Sequence, residues 1–179
     1  MSHHANPRLL KGTRVVLYLS IGLVVFVGAA IAIATPVVMW NADEIVRVLA
    51  EDDKVKFSPE IYPYFFGMLA LLVLGLGIVW KMLKTLLDLV RSVEDGTPFG
   101  RINAARLRMV GWLMIAIQVV GIPLAQLAAQ VEEAIDPSKA VSHDLGISMN
   151  SVLAILIAFI LAGVFEQGAE MREELEGTV

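Results

Sequence analysis

The residues of this chain that could do chemistry are concentrated in one span, VEDGTPFGRINAARLRMVGW, from Val93 to Trp112. Three arginines lie in this span, and arginine recognises carboxylates and phosphates through charge-assisted hydrogen bonds. We therefore predict that the span and the segment before it contact a lipid or a protein partner. The alternative is that the charges only set the topology of a membrane protein. The candidate contact residues are Lys81, Lys84, Arg91, Arg101, Arg106 and Arg108.

Catalytic chemistry is not predicted anywhere in the chain. Four long runs contain no Asp, Glu, Lys or Arg, and proton relays or intramembrane hydrolysis need such groups or a metal. The chain has no Cys and three His, which are too scattered for a metal cluster. We expect a non-enzymatic protein with no catalytic residue, metal or cofactor. The four runs are Val15–Ala42, Ile61–Trp80, Met109–Val131 and Leu145–Phe165.

The same four runs define the elements that position these residues. The chain is 57% hydrophobic, above the roughly 45–50% of a soluble domain. Each run reaches the roughly 20 residues that a helix needs to cross a bilayer, whereas core helices of soluble proteins are shorter and have a polar face. The first run is too long for a signal-peptide core and predicts an anchor helix. We predict an all-α fold, a four-helix transmembrane bundle in a single domain (1–179), with spans at 15–39, 61–80, 109–130 and 149–166.

The distribution of basic residues predicts the orientation of this bundle. Ten Lys and Arg residues fall on the side of both termini and of the segment between the second and third spans, against four on the other side. Basic residues are retained in the cytoplasm, so both termini are predicted to be cytoplasmic. The first outer loop, Asn41–Glu60, either begins with a short helix or is a solvated loop.

The second helix is predicted to continue past its span as one arm of a cytoplasmic hairpin, residues 81–108. Apolar and charged residues each recur every three or four positions to Glu94, and this extends the helix by roughly 21 Å. Gly96 suits the left-handed position after a helix end, and Pro98 and Phe99 complete the turn. Asn103 is predicted to be the N-cap of a third helix that begins at Ala104.

Two helix faces carry further predictions. Gln118, Gln126 and Gln130 share one face of the third helix; they either line a substrate groove or, as we favour, hydrogen-bond to neighbouring helices. On the fourth helix, a stripe of small residues (Ala154, Ala158 and Ala162) is predicted to form a helix seam.

The stripe of alanines continues into an acidic C-terminal helix, residues 166–177. Glu166, Glu170 and Glu174 follow the alanines at the same four-residue spacing. This helix either docks on the basic hairpin, opposite Lys81, Lys84, Arg91 and the hairpin arginines, or is a solvated tail. Exposed ion pairs contribute only about 0–1 kcal/mol each, so such docking would be displaceable. The sequence leaves a homo-oligomer open.

Two blocks of the chain resemble the bacterial membrane family called domain of unknown function 2975. The first is DGTPFGRINAARLRMVGWL, and the second is SVLAILIAFILAGVFEQGAEMREELEGTV at the end of the chain. The first block matches the family's Gly-x-Pro-Phe turn, its Asn-Ala-x-Arg-Leu-Arg segment and its Gly-Trp pair. The matching positions are Gly96, Pro98, Phe99, Asn103, Ala104, Arg106, Leu107, Arg108, Gly111 and Trp112, followed by Phe165, Gly168, Glu173, Glu174, Thr178 and Val179.

The resemblance implies a four-helix protein of the bacterial inner membrane without an established activity. Relatives have charges near Gly163 and Glu166 that this chain lacks, so no role of those charges is carried over. Many relatives are encoded beside a small helix-turn-helix transcription regulator. The resemblance thus suggests a membrane regulator or scaffold that holds such a partner, besides the lipid bilayer itself, without binding nucleic acid directly. The alternative is a small transporter or an export- or immunity-type protein that uses the Gln face.

Overall fold

The computed structural model of the protein describes residues 7–41, 62–97, 99–135 and 148–176, and these form four helices. Each helix is long and apolar enough to cross a membrane. Ser148 caps the fourth helix, because its hydroxyl accepts a hydrogen bond from the backbone N–H of Ser151 at 3.1 Å. The helices are α1 (Pro7–Trp40), α2 (Tyr62–Glu94), α3 (Arg101–Ile135) and α4 (Met149–Glu176).

All four helices are longer than the predicted spans. The helix α2 continues without a break to Glu94, and α4 continues from its apolar part through the acidic segment. Glu132 and Glu133, which follow the predicted third span (109–130), lie in α3 because that helix extends to Ile135. The expected short helix in Asn41–Glu60 lies outside the described residues. The side of the membrane that each end occupies stays a prediction.

The chain forms two compact units. The hairpin unit comprises Met1–Val24, Ile78–Ala116 and Ile147–Val179, and it contains most of the candidate residues. The second unit comprises Val25–Gly77 and Ile117–Gly146.

In the hairpin unit, α3 and α4 run antiparallel. The rings of Trp112 and Phe159 meet edge to face, with centroids 5.6 Å apart. The seam on α4 consists of small buried residues, as the alanine stripe predicted for Ala158 and Ala162. After Ala162 the buried position is Ala169 rather than Glu166 or Glu170. In packed helices, residues seven apart stay on one face, whereas repeated steps of four drift around the helix. The seam therefore continues from Ala162 to Ala169.

In the second unit, small residues bring α2 and α3 close together. A Cβ added at Gly67 would lie 3.2 Å from the Leu127 side chain, and one added at Gly75 would lie 3.9 Å from Val120. A Cβ added at Gly77 would have no neighbour within 4 Å, and Gly77 is exposed. Large apolar side chains such as Phe26 (72% exposed) cover the outer surface. An exposed surface of this composition suits helices that face lipid, where apolar residues need no protein cover.

We predict that Gly111→Ala destabilises the hairpin unit. A Cβ at Gly111 would lie 2.9 Å from Cζ of Phe159, whose ring is held by Trp112. Overpacking of this kind costs about 1–3 kcal/mol. Gly121→Ala in the same helix is the matched control, because no atom lies within 4 Å of its added Cβ. Thermal unfolding in detergent should give a lower Tm for Gly111→Ala than for Gly121→Ala; equal values would contradict the close contact.

Candidate functional site at the hairpin between the second and third helices

A Schellman motif ends α2 and begins the hairpin turn. Gly96 has a φ of 75°, the left-handed conformation that its sequence position predicted. Its N–H donates to the carbonyl of Val93 at 3.2 Å, and the N–H of Thr97 donates to the carbonyl of Ser92 at 3.0 Å. Pro98 lies outside the described residues. The two bonds satisfy carbonyls that the helix end would otherwise leave unpaired.

Asn103 is the centre of the hairpin. Its side chain is 1% exposed, and its amide nitrogen donates to the hydroxyl of Ser92 at 2.6 Å and to the carbonyl of Thr97 at 3.1 Å. Its amide oxygen accepts a hydrogen bond from Arg106 at 2.9 Å. One buried side chain thereby joins the end of α2, the turn and the start of α3.

The prediction that Asn103 is an N-cap was wrong. The helix begins at Arg101, so Asn103 lies in its first turn, and the carbonyl of Gly100 accepts the backbone N–H of Asn103 at 2.8 Å. The amide side chain instead bonds across the hairpin. Ser92 and Thr85 were not singled out in the sequence, although their seven-residue spacing places both on the buried face of α2.

Arg106 belongs to this polar centre rather than to an outer contact surface. It also donates to the backbone carbonyl of Asp88 on α2, at 3.2 Å, and its side chain is part-buried. Of the six cations predicted to contact a lipid or a partner, Arg106 is therefore the one that the fold turns inward.

The acidic end of α4 lies against the hairpin, and two ion pairs connect them. Arg101 donates to Glu173 at 2.8 Å, and Arg108 donates to Glu166 at 2.6 Å. The arginines are seven residues apart and so are the glutamates, so both pairs form in one antiparallel register. All four side chains are about half exposed. The docked arrangement agrees with the first of the two alternatives for the tail, with Glu173 taking the place expected for Glu170 or Glu174.

An aromatic contact accompanies the ion pairs. The ring centroids of Phe99 and Phe165 lie 5.3 Å apart. Phe99 also covers Gly168, where an added Cβ would lie 3.1 Å from its ring. Phe99 is nevertheless 48% exposed, so the hairpin turn contributes an aromatic edge to the surface.

Arg91 contacts α1 and not the acidic tail. Its guanidinium donates to the hydroxyl of Tyr18 at 2.6 Å and pairs with Asp88, one turn earlier. The hydrogen bond to Tyr18 raises the pKa of Arg91 above its ordinary value. One turn further along α2, Glu94 pairs with Arg14 of α1 at 2.9 Å.

Lys81 and Lys84 also lie away from the acidic tail. Both side chains are exposed, and the ammonium of Lys84 lies over the ring of Trp80, 4.8 Å from its centroid. Neither lysine pairs with a carboxylate among the described residues. Of the cations expected to face the tail, Arg101 and Arg108 therefore pair with it, whereas Lys81, Lys84 and Arg91 do not pair with it among the described residues.

The Gln face of α3 does not form an obvious site. Gln118 is half-buried, whereas Gln126 and Gln130 are exposed, and none of them hydrogen-bonds to another described residue. The favoured interhelical hydrogen bonds are not seen in the described part of the chain. Within that same part, no three His, Asp or Glu residues come close enough together to hold a metal ion.

These features define an all-helical protein whose described residues form four helices that are long and apolar enough to cross a membrane. A polar hairpin connects α2 and α3. The chain belongs to the protein family of unknown function DUF2975, whose model matches residues 14–179. This match confirms the resemblance seen in the two sequence blocks. Neither the curated proteins nor the solved structures contain a significant match.

We predict that Asn103→Ala destabilises the protein by about 1–3 kcal/mol, because the hydroxyl of Ser92 and the guanidinium of Arg106 lose a buried partner. Asn41→Ala is the control. Its amide bonds only one carbonyl, that of Val37, at an exposed helix end, so we expect a change within about 0.5 kcal/mol. Thermal unfolding in detergent measures both variants. An Asn103→Ala protein as stable as Asn41→Ala would contradict the central role of this side chain.

Phe99→Ala is expected to loosen the acidic tail. Removing a half-buried ring costs roughly 1–2 kcal/mol, which is on the order of a tenfold change in the docking equilibrium. Ala169 lies on the buried side of the tail and is 3% exposed, and the chain has no Cys, so thiol labelling of Ala169→Cys reports undocking. Ile102→Ala, at a neighbouring apolar residue that is 62% exposed, is the control and should leave labelling slow. Equally slow labelling in Phe99→Ala would show that Phe99 does not hold the tail.

Proposed function

We propose that this protein is a non-enzymatic, multi-pass protein of the bacterial inner membrane that regulates or scaffolds a cytoplasmic partner. The partner binds a composite surface formed by the hairpin, residues 81–108, and the acidic tail, residues 166–177, with both termini in the cytoplasm. The observation that supports this proposal best is the docking of the tail on the hairpin through the two half-exposed ion pairs, Arg101–Glu173 and Arg108–Glu166.

The energetics of these pairs favour exchange with a partner. Each exposed pair contributes only about 0–1 kcal/mol. A partner that offers its own cations to Glu166 and Glu173 can therefore replace the two arginines at little cost. The tail adds exposed apolar side chains, Met171 (61%) and Leu175 (73%), which give such a partner apolar surface to bury.

The partner that fits this surface is a small basic protein with an exposed apolar face. Family analogy suggests a small helix-turn-helix transcription regulator, whose DNA-binding surface is basic. Held at the membrane through that surface, the regulator would be kept from its operator. The chain itself carries a net charge of −4, which disfavours direct binding to the phosphate backbone of DNA. A transporter role through the Gln face stays a prediction of the sequence, and the exposure of Gln126 and Gln130 gives it no support.

Two double variants with opposite expected effects test the proposal. In Glu166→Gln/Glu173→Gln, the partner loses both carboxylates, and its recovery from detergent extracts should fall about tenfold, as expected for the loss of about 1.4 kcal/mol. In Arg101→Gln/Arg108→Gln, the tail is released with its carboxylates intact, so recovery should stay equal or rise. The measurement is co-purification followed by identification of the recovered protein by mass spectrometry.

The matched control is Glu132→Gln/Glu133→Gln, which removes two acids at the other end of α3. It should recover as much partner as the wild type. Labelling of Asp95→Cys in the exposed turn must first show that each variant keeps its orientation, because these charges also set topology. Recovery of the chain without a DNA-binding protein, or equal recovery from the wild type and Glu166→Gln/Glu173→Gln, would refute the proposal.

A further inference from the structure

In the second unit, the two sides of α3 have different surroundings. On one side, Val120 and Leu127 lie beside glycines of α2. On the other side, Val119, Ile122 and Gln126 are exposed, with fractions of 65% for Val119 and 36% for Ile122. Each residue advances a helix by about 100°, so these three residues point roughly a quarter turn or more away from the contact with α2. They form a face of α3 that no other described helix covers.

In the membrane of the proposed function, Gln126 lies within the hydrocarbon layer. The charge-free run of α3, Met109–Val131, has 23 residues and spans roughly 34 Å, slightly more than the roughly 30 Å of hydrocarbon. Gln126 is five residues from the end of this run, which places it about 5 Å inside the boundary. The Cα–Cβ bond of a helical residue tilts towards the start of the helix, and for Gln126 this direction leads deeper into the layer.

The exposed face carries polar groups that lipid cannot satisfy. An amide within the hydrocarbon layer needs a hydrogen-bond partner, because water is absent and an unpaired polar group is costly there. Gln126 hydrogen-bonds to no described residue. Pro123 lies inside α3 and has no N–H to donate to the carbonyl of Val119, one turn earlier. The face therefore offers both a donor and acceptors to whatever lies against it.

The spacing along this face fits a second helix of the same chain. Val119, Ile122, Gln126 and Ala129 follow each other by three, four and three residues, which is the repeat of helices that pack side by side. A single polar residue in such a repeat fixes the register of the pair. A second copy, inserted in the same direction, brings its own Gln126 to the same depth, and a carboxamide both donates and accepts hydrogen bonds.

We propose that two copies of this chain pair in parallel through this face of α3, with the two Gln126 side chains hydrogen-bonded to each other across a two-fold axis. The same patch serves both copies, as a two-fold interface requires. Glu133 follows on the same face, but beyond the end of the charge-free run, where water and salt screen its repulsion from the copy. The dimer rests on the membrane spans of the proposed function and not on its cytoplasmic partner.

Cysteine cross-linking in native membranes tests the interface, because the chain has no Cys. Ile122→Cys places a thiol in the proposed face and should give a disulfide-linked dimer on mild oxidation. Val73→Cys is the matched control and should stay monomeric. Val73 is also exposed (48%), and it is level with Ile122 because α2 and α3 are antiparallel and Gly75 lies beside Val120.

Energy transfer between donor- and acceptor-labelled copies, measured in liposomes over a series of protein-to-lipid ratios, gives the dimerisation constant. The label is placed at Asp95→Cys. Gln126→Leu should lower the constant about tenfold, since two interhelical hydrogen bonds together contribute about that factor, and Gln126→Asn should restore part of it. Glu133→Gln should raise it about threefold, because two like charges at the edge of the interface are removed. Gln167→Leu, at an exposed residue of α4, is the matched control and should leave it unchanged.

The alternatives give different results. Equal cross-linking of Ile122→Cys and Val73→Cys would overturn the proposal, as would a cross-link from Ile122→Cys to a different protein. Equal dimerisation constants for Gln126→Leu and the wild type would overturn it too. Extraction of the chain from membranes by alkaline carbonate would contradict the membrane spans of the proposed function as well, whereas a monomer that resists extraction would contradict the dimer alone.

Discussion

The hairpin unit depends on one buried amide, the side chain of Asn103. Its hydrogen bonds to Ser92, Thr97 and Arg106 are made across the turn, so the end of α2 and the start of α3 are positioned by the same group. A buried amide without these partners would be costly, and each partner in turn needs the amide. The positions of Arg101 and Arg108 on α3, and hence the place where α4 docks, follow from this constraint. The polar hairpin is thus a closed hydrogen-bonded unit whose outer arginines contact α1 and α4.

The helices could be predicted from the sequence because their signals are local. Charge-free runs of at least 20 residues indicate spans, and α2, in which apolar residues recur every three or four positions, ends at Glu94. Gly96 likewise predicted the left-handed conformation found at the turn. The role of Asn103 could not be predicted in the same way. A polar residue near a helix start fits a cap, and the alternative partners, Ser92 and Arg106, become relevant only once α2 and α3 are packed.

The distribution of the basic residues shows why composition alone cannot assign a site. Six cations near the hairpin looked equivalent in the sequence, but the fold gives them different environments. Arg106 is turned inward, Arg101 and Arg108 meet the acidic tail, and Arg91 meets Tyr18 of α1. These differences follow from which side of α2 or α3 each residue occupies, since positions seven apart share a face and positions one or two apart do not. Of the six, only Lys81 and Lys84 of α2 are exposed cations without a carboxylate partner among the described residues.

The contact of Phe99 with Gly168 has a consequence for the alignment of α4. Displacing α4 by one turn, about 5.4 Å, would still leave Glu170 near one of the two arginines, so charge alone tolerates sliding. The same displacement would bring Val164 or Arg172 beneath the aromatic ring in place of glycine, and neither side chain fits a gap in which even a Cβ lies 3.1 Å from the ring. The lack of a side chain at Gly168 therefore sets the register of the tail against the hairpin. The ion pairs hold the tail once it is in that register.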